Sequence, residues 1–375
     1  MMQTTVHDPA IEDLLPSARP VQLIDPTGAE VTQTGTRRPY VMPDADRLQD
    51  VWRHMVIGRR FDLQATALTK QGRLAVYPSS RGQEACQVAA VRALTERDWM
   101  FPTYRESMAL VSRGIDPVEV LTLLRGSAHC GYEPMTHRTA AQCTPLATQL
   151  VHAAGTAYGL KRRGEDSVAL GFIGDGATSE GDFHEALNFA AVFDAPAIFF
   201  VQNNKYAISV PLAKQTKAPS LAYKGIGYGV ASEQVDGNDP AAVLAVMDAA
   251  LEHCRSGKGP FLVEAHTYRM DAHTNADDAT RYRSGDEVCA WLDRDPIARL
   301  EAYLRSRGLL NDDQANAVRQ EAEALASDLR DRMNADPVVD PMSLFDNVFQ
   351  SATPQVEDAR AMVVRELQAA DEVTR

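Results

Sequence analysis

The chain has 375 residues, 45% of them apolar and 24% charged, which allows a sizeable core and excludes a wholly disordered or fibrous chain. Its formal charge of −13 argues against general nucleic-acid binding, which needs a basic face to displace phosphate counterions. No apolar run reaches the roughly 18 residues that span a bilayer, and residues 1–20 lack an apolar core behind a basic start, so no membrane association and no secretory signal are expected.

Residues 1–43 are rich in Pro, Thr, Gly and Asp, with one apolar stretch from Val21 to Ile24; they are predicted to form an extended arm. From Asp44 onward, Leu48, Val51, Trp52, Met55 and Val56 recur at helical spacing. Further helices are predicted over 83–94 and from Asp116-Pro117. The middle alternates strand (167–173), helix (180–192), strand (196–201), strand (229–235), helix (240–255) and strand (260–265). Strands apolar on both faces that alternate with helices imply an α/β fold, a mostly parallel sheet buried between helical layers. Beyond residue 295 only helices are predicted. Asp295-Pro296 supplies an N-cap and a first-turn proline, Ile297, Leu300 and Leu304 the buried stripe, and Gly308 the stop. A charged helix follows over 312–333, and the 343–349 segment carries apolar residues suited to docking. The expected organisation is an arm (1–43), an α/β domain (44–294) and a helical C-terminal extension (295–375) packed on that domain. The five cysteines, Cys86, Cys130, Cys143, Cys254 and Cys289, are widely spaced and form no CxxC pair; reduced thiols in a cytoplasmic protein are the simplest reading.

The stretch richest in chemistry runs from Gly174-Asp175-Gly176-Ala177-Thr178-Ser179-Glu180 to Gln202-Asn203-Asn204-Lys205-Tyr206. Each end follows a predicted strand. In an open parallel sheet, ligands sit beyond the carboxyl ends of the strands, so Asp175 and Asn204 can converge although distant in sequence. A carboxylate oxygen, an amide oxygen and the Tyr206 carbonyl suit a hard cation such as magnesium, which completes an octahedron with phosphates and water. Gly174 and Gly176 would let the backbone pass close to a diphosphate, and the helix opening near Ser179-Glu180 would aim free N–H groups at it. A lone Gly-Asp-Gly is more often a tight turn whose Asp caps a helix; Asn203-Asn204 at the next strand end reverses that weighting. Neither a dinucleotide fingerprint nor a P-loop is present.

This pattern resembles the thiamine-diphosphate enzymes and, within them, the alpha subunit of heterotetrameric 2-oxo acid dehydrogenases. The likeness extends from about residue 40 to the C-terminus. It rests on Gln71-Gly72-Arg73, Gly82-Gln83-Glu84-Ala85, Phe101-Pro102-Thr103-Tyr104-Arg105-Glu106, Pro145-Leu146-Ala147-Thr148-Gln149, Val235-Asp236-Gly237-Asn238-Asp239, Thr267-Tyr268-Arg269, and Asp277-Asp278 with Tyr282-Arg283. The resemblance implies the thiamine-diphosphate-binding fold, thiamine diphosphate and Mg2+. It implies cofactor contacts from Tyr104, Arg105, Thr144, Leu146, Gly174, Gly176, Ala177 and Gln202, and magnesium ligation by Asp175, Asn204 and Tyr206. At Gln202 some relatives place an arginine that faces the diphosphate; glutamine adds no charge, so affinity is expected to lean on Arg105. Thr148 and Gln149 match a potassium site of the branched-chain members, but Cys143 stands where serine usually helps them. His273 matches an active-site histidine on a mobile loop, and His129 a second histidine near the channel, in surroundings that match less closely.

The activity implied is oxidative decarboxylation of a 2-oxo acid, with acyl transfer to the lipoyl domain of a dihydrolipoyl acyltransferase. The glutamate that activates the aminopyrimidine normally comes from a beta subunit, so an alpha2-beta2 assembly is expected. Ser179-Glu180-Gly181-Asp182 and Tyr206-Ala207-Ile208-Ser209 look most like the branched-chain enzymes, with pyruvate dehydrogenase as the alternative and acetoin dehydrogenase a distant third. A non-catalytic scaffold subunit that retains the fold is the reading from another class.

Overall fold

Asp44 caps α1 (Ala45–Lys70) by accepting a hydrogen bond from the Arg47 N–H at 2.9 Å. The coordinates, a computed structural model, describe residues 10–127, 129–335, 340–346 and 348–373. The buried stripe of α1 (Leu48, Val51, Trp52, Met55, Phe61) follows helical spacing. α2 (Glu84–Arg92) packs against it.

Five parallel strands form the sheet: β1 (Trp99–Phe101), β2 (Ala169–Gly174), β3 (Ala197–Asn203), β4 (Ala231–Asp236) and β5 (Phe261–His266), in spatial order β1-β2-β3-β5-β4. α3 (Thr148–Arg163) and α4 (Gly181–Val192) pack together on β2 and β3. There Leu150, Ala153 and Ala157 meet Phe183, Leu187, Ile173, Phe199 and Val201 in one cluster. The alternate strand residues, Phe172, Ile198 and Phe200, are also fully buried. Strands covered on both faces read as continuous apolar runs, and that is why the middle of the sequence announces a parallel sheet. α5 (Pro240–Arg255) lies along β4 and β5 and against α2.

The arm runs along the sheet's free edge. Val21 bridges Val235 in parallel; its N–H donates to Gln234 O at 2.8 Å, and its carbonyl accepts from Asp236 N–H at 3.0 Å. The arm thus covers the backbone groups that an edge strand leaves unpaired. A buried carboxylate anchors it: Glu233 accepts from Ser17 N–H at 2.6 Å and from the Tyr40 hydroxyl at 2.6 Å.

Asp295 caps α6 (Pro296–Ser306), accepting from Ile297 N–H at 2.9 Å, with Pro296 in the first turn. Arg299 of α6 is buried and donates to Asp236 at 2.9 Å and to the Ile24 carbonyl, tying helix, sheet and arm together. α7 (Asp312–Asn334) follows, and its Glu323 accepts from Arg60 of α1 at 2.7 Å. Contacts gather the chain up to Arg330 into one unit and 331–375 into another. In the second, Pro341–Phe345 is a 3-10 turn and Pro354–Val373 the helix α8. Part of the 343–349 segment lies outside the described residues.

The sequence reading did not give the helix α3 (Thr148–Arg163) or the short strand β1. β1 has three residues, too few to show a period. The turn after β2 is a 3-10 turn (Gly176–Ser179), and the α-helix opens only at Gly181, with Glu180 as its N-cap.

Candidate active site

A cavity of about 540 Å³ opens beyond the carboxyl ends of β2 and β3, where an open parallel sheet is expected to bind its ligand. Gln202 pairs with Gly174 in the β2–β3 register, so the Gly174-Asp175-Gly176 turn and the Asn203-Asn204 pair emerge side by side. Tyr104, Arg105, Thr144, Leu146, Gly174, Asp175, Gly176, Ala177, Gln202, Asn204, Tyr206 and His273 all border this cavity, and so does Gln149.

Asp175 and Asn204 meet. One terminal atom of the Asn204 amide lies 3.2 Å from Asp175 Oδ1 and 3.0 Å from the Tyr206 carbonyl oxygen. With its nitrogen inward, Asn204 donates to both. With its oxygen inward, Nδ2 donates to Gln83 Oε1 at 3.1 Å, and three acceptor oxygens face one another. A cation relieves that arrangement. Cis ligands of an octahedral ion bonded at 2.0–2.1 Å lie about 3 Å apart, the spacing that Asn204 keeps to both Asp175 and Tyr206, so the oxygen-inward triad fits magnesium. The other carboxylate oxygen, Asp175 Oδ2, accepts from Gln215 Nε2 at 2.6 Å. Burial pushes the Asp175 carboxyl up from its ordinary range, with Gln215 opposing.

Two buried guanidinium groups stand nearby. Arg105 is 5% exposed and Arg269 1%. Arg105 donates to the Ser79 carbonyl at 2.8 Å and to the His273 carbonyl at 3.0 Å. Arg269 donates to the carbonyls of Tyr206 (3.3 Å) and Ile208 (2.8 Å) and to the Tyr282 hydroxyl (2.8 Å). Among the described residues neither forms a salt bridge with a carboxylate. A buried charge with only neutral partners is costly, and an anion in the cavity offsets that cost.

His273 follows β5 on a loop closed by Asp277, which accepts from His273 N–H at 2.8 Å and from the Tyr282 hydroxyl. Burial, then the charges of Arg105 and Arg269, push its imidazole down to about 4, against the pull of Asp277.

The two glycines of the turn differ. A Cβ on Gly174 would enter open space, whereas one on Gly176 would lie 2.4 Å from Ala207 Cβ. Gly174 leaves room for a ligand. At Gly176 the side chain is excluded by the neighbouring hairpin (Tyr206–Ala207 with Val210–Pro211).

Two expected residues stay off the cavity wall. His129 is exposed, and its Nδ1 accepts from Gly131 N–H at 2.9 Å within its own loop. Thr148 donates to Asp182 at 3.1 Å. The potassium set finds one orphaned oxygen, Gln149 Oε1, whose amide nitrogen donates to the Phe172 carbonyl at 2.7 Å. Cys143 turns its thiol to the Pro145 carbonyl at 3.3 Å. A thiol is a soft ligand, mismatched to a hard alkali ion, so this donor set does not fit potassium.

Sequence reasoning gave no role to Arg269, Glu106 or Gln215. Arg269 had a signal, an arginine three residues after the end of a buried strand. Gln215 had none, because it reaches Asp175 from an irregular loop. Ile208, on the same rim, holds a φ of 55°, rare for a β-branched residue; here the Arg269 bond to its carbonyl accompanies it.

The family model of the dehydrogenase E1 component matches residues 52–342. The chain is 45% identical over 352 residues to the 3-methyl-2-oxobutanoate dehydrogenase subunit alpha of Mycobacterium tuberculosis, covering 94% of this chain and 95% of that one. It is 39% identical over 307 residues to the pyruvate dehydrogenase E1 component subunit alpha of Staphylococcus aureus, covering 81% of each. The chain therefore belongs to the dehydrogenase E1 component family, among the alpha subunits of 2-oxo acid dehydrogenases.

Proposed function

We propose that this chain is the thiamine-diphosphate-binding alpha subunit of a branched-chain 2-oxo acid dehydrogenase. It would act on substrates of the 3-methyl-2-oxobutanoate type and pass the acyl group to the lipoyl domain of a dihydrolipoyl acyltransferase. The observation that carries this reading is the oxygen triad of Asp175, Asn204 and Tyr206 beside two buried guanidinium groups that lack carboxylate partners among the described residues. A divalent cation and a diphosphate satisfy both at once. The higher identity to the branched-chain relative, over nearly the whole chain, favours that substrate over pyruvate.

Bound thiamine diphosphate supplies the electron sink for decarboxylation. The residues of this chain bind and orient. Asp175, Asn204 and the Tyr206 carbonyl would hold Mg2+, while Arg105 and Arg269 neutralise the diphosphate oxygens. Gly174 leaves space at the turn. His273, neutral near pH 7, can hold or give a proton on Nε2. Leu146 and Ile208 border the cavity yet are 46% and 57% exposed. Apolar side chains left open at a reaction cavity support a partner that completes it, the beta subunit of an alpha2-beta2 enzyme. Five free thiols support a cytoplasmic location. No helix among the described residues is long and apolar enough to cross a membrane.

The test is decarboxylation by the chain co-purified with its beta subunit, with 3-methyl-2-oxobutanoate against pyruvate. A higher kcat/KM for the branched acid is expected. A preference for pyruvate would reassign the substrate.

A further inference from the structure

A single hydroxyl stands between two carboxylates. Ser79 Oγ lies 2.7 Å from Asp62 Oδ2 and 2.8 Å from Asp271 Oδ2. It also accepts from the Arg81 N–H at 3.2 Å. A serine hydroxyl carries one proton, and an ionised carboxylate carries none. With both aspartates ionised, that proton would serve one of them and leave the other pressing oxygen against oxygen. Splitting it between two acceptors is no remedy, because a hydrogen bond weakens steeply once bent well away from linear. One more proton completes the chain.

Its place follows from the surroundings. Asp62, on α1, is 1% exposed, and no cation among the described residues forms a salt bridge with it. The titratable groups acting on it are Tyr77 and Asp271; Arg105, which acts on Tyr77, is committed to the carbonyls of Ser79 and His273. Burial pushes the Asp62 carboxyl up, against the hydrogen bonds from Ser80, Ser79 and Tyr77, and Asp271 adds to the push. Asp271 is partly exposed, with Arg81 Nη1 3.6 Å away as a counter-charge. Two carboxylates that share a site do not both ionise readily. The proton therefore sits on Asp62 Oδ2 and donates to Ser79 Oγ, and the Ser79 hydroxyl donates to Asp271.

This chain joins two parts of the cavity wall. Asp62 Oδ1 accepts from the Tyr77 hydroxyl and the Ser80 N–H, both at 2.8 Å. The turn so fixed holds Arg105 twice: the Ser79 carbonyl accepts from its guanidinium at 2.8 Å, and the Ser80 hydroxyl donates to its carbonyl at 2.6 Å. Asp271 stands two residues before His273. Two bonds run beside the bridge, Tyr77 N–H to Asn275 Oδ1 at 3.3 Å and Met270 N–H to the Arg81 carbonyl at 3.1 Å.

We infer that Asp62 and Ser79 are positioning residues that latch the His273 loop to the Arg105 turn through one buried proton held at pH 7. The latch belongs to the fold of the chain and stands apart from the identity of the cofactor.

The test uses the cofactor-free alpha-beta enzyme at pH 7. With isotope-labelled aspartate carboxyls, the infrared spectrum of wild type is expected to show a protonated carboxyl stretch that Asp62→Asn lacks. Asparagine preserves the chain, since its Oδ1 accepts from Tyr77 and Ser80 and its Nδ2 donates to Ser79. Hydrogen exchange of residues 271–283 is therefore expected to run at the wild-type rate in Asp62→Asn and about tenfold faster in Ser79→Ala. Asp271→Ala, at a partly exposed position, frees the Ser79 proton for Asp62 and serves if Asp62→Asn does not fold; the carboxyl stretch is expected to titrate away at lower pH than in wild type. A carboxyl stretch that neither substitution alters overturns the shared proton. Exchange as fast in Asp62→Asn as in Ser79→Ala, or unchanged in Ser79→Ala, overturns the latch.

Discussion

Arg105 Nη2 lies 3.1 Å from His273 Nδ1 and 3.0 Å from the His273 carbonyl oxygen. A guanidinium only donates, so Nδ1 is an acceptor and the neutral ring carries its proton on Nε2. Burial, and then the repulsion that protonation would create beside Arg105 and Arg269, hold the imidazole down to about 4 instead of its usual 6.5.

The sign of the pH effect follows. A histidine whose folded value is depressed adds stability above its unfolded value, and that stability is lost as pH falls through the folded one. The His273 loop is expected to be fully stable above about 6.5 and to loosen toward about 4. Hydrogen exchange of residues 271–283 in the cofactor-free protein checks this; protection that stays flat over that window would contradict it.

His273→Gln keeps an acceptor for Arg105 but cannot exchange protons. Cofactor affinity is expected to hold while kcat falls by about 10²-fold or more. A loss confined to affinity would make His273 a binding residue only.

Gly176→Ala would bring a Cβ to within 2.4 Å of Ala207 Cβ. Overpacking of this kind costs about 1–3 kcal/mol. Thermal unfolding should register that loss, and adding Ala207→Gly should recover most of it. No recovery would mean that the glycine serves another need.

Much of this arrangement was legible in the sequence because the sheet is buried on both faces. Continuous apolar runs such as Ala-Ile-Phe-Phe-Val marked β3, and Gly-Asp-Gly and Asn-Asn at neighbouring strand ends marked the ligand corner. Three-dimensional partners were not legible. Gln202 read as a neutral donor to the diphosphate, and the sequence did not show that one of its two amide N–H groups goes to Glu106. Gly176 read as room for a ligand, yet it is room for Ala207. Gln215 reaches Asp175 across a loop with no periodicity to signal it. His129 shares a motif neighbourhood with the family but turns to its own loop. Local spacing encodes elements; which side chain occupies a given hydrogen bond is decided by segments that meet only in the fold.

Arg269→Lys keeps the charge but loses the fork that reaches the Tyr206 and Ile208 carbonyls and the Tyr282 hydroxyl together. A roughly tenfold weaker Kd for thiamine diphosphate is expected, measured by titration of the alpha-beta enzyme. Unchanged affinity would remove Arg269 from the diphosphate site.

Exchange of K+ for Na+ at equal ionic strength is expected to leave the unfolding temperature unchanged, because Cys143 is a soft ligand. Cys143→Ser, which supplies a hard oxygen beside Pro145 and Gln149, is expected to create a potassium response. A potassium response already present in the wild type would contradict this.

The most direct measurement is thermal unfolding of the alpha-beta enzyme with thiamine diphosphate and Mg2+, separately and together, for wild type and Asp175→Ala. Wild type should gain about 2.7 kcal/mol at a hundredfold excess over Kd only when both are present, and Asp175→Ala should gain nothing. Equal gains in both proteins would contradict the metal triad, and no gain in wild type would leave a scaffold subunit in place of an enzyme.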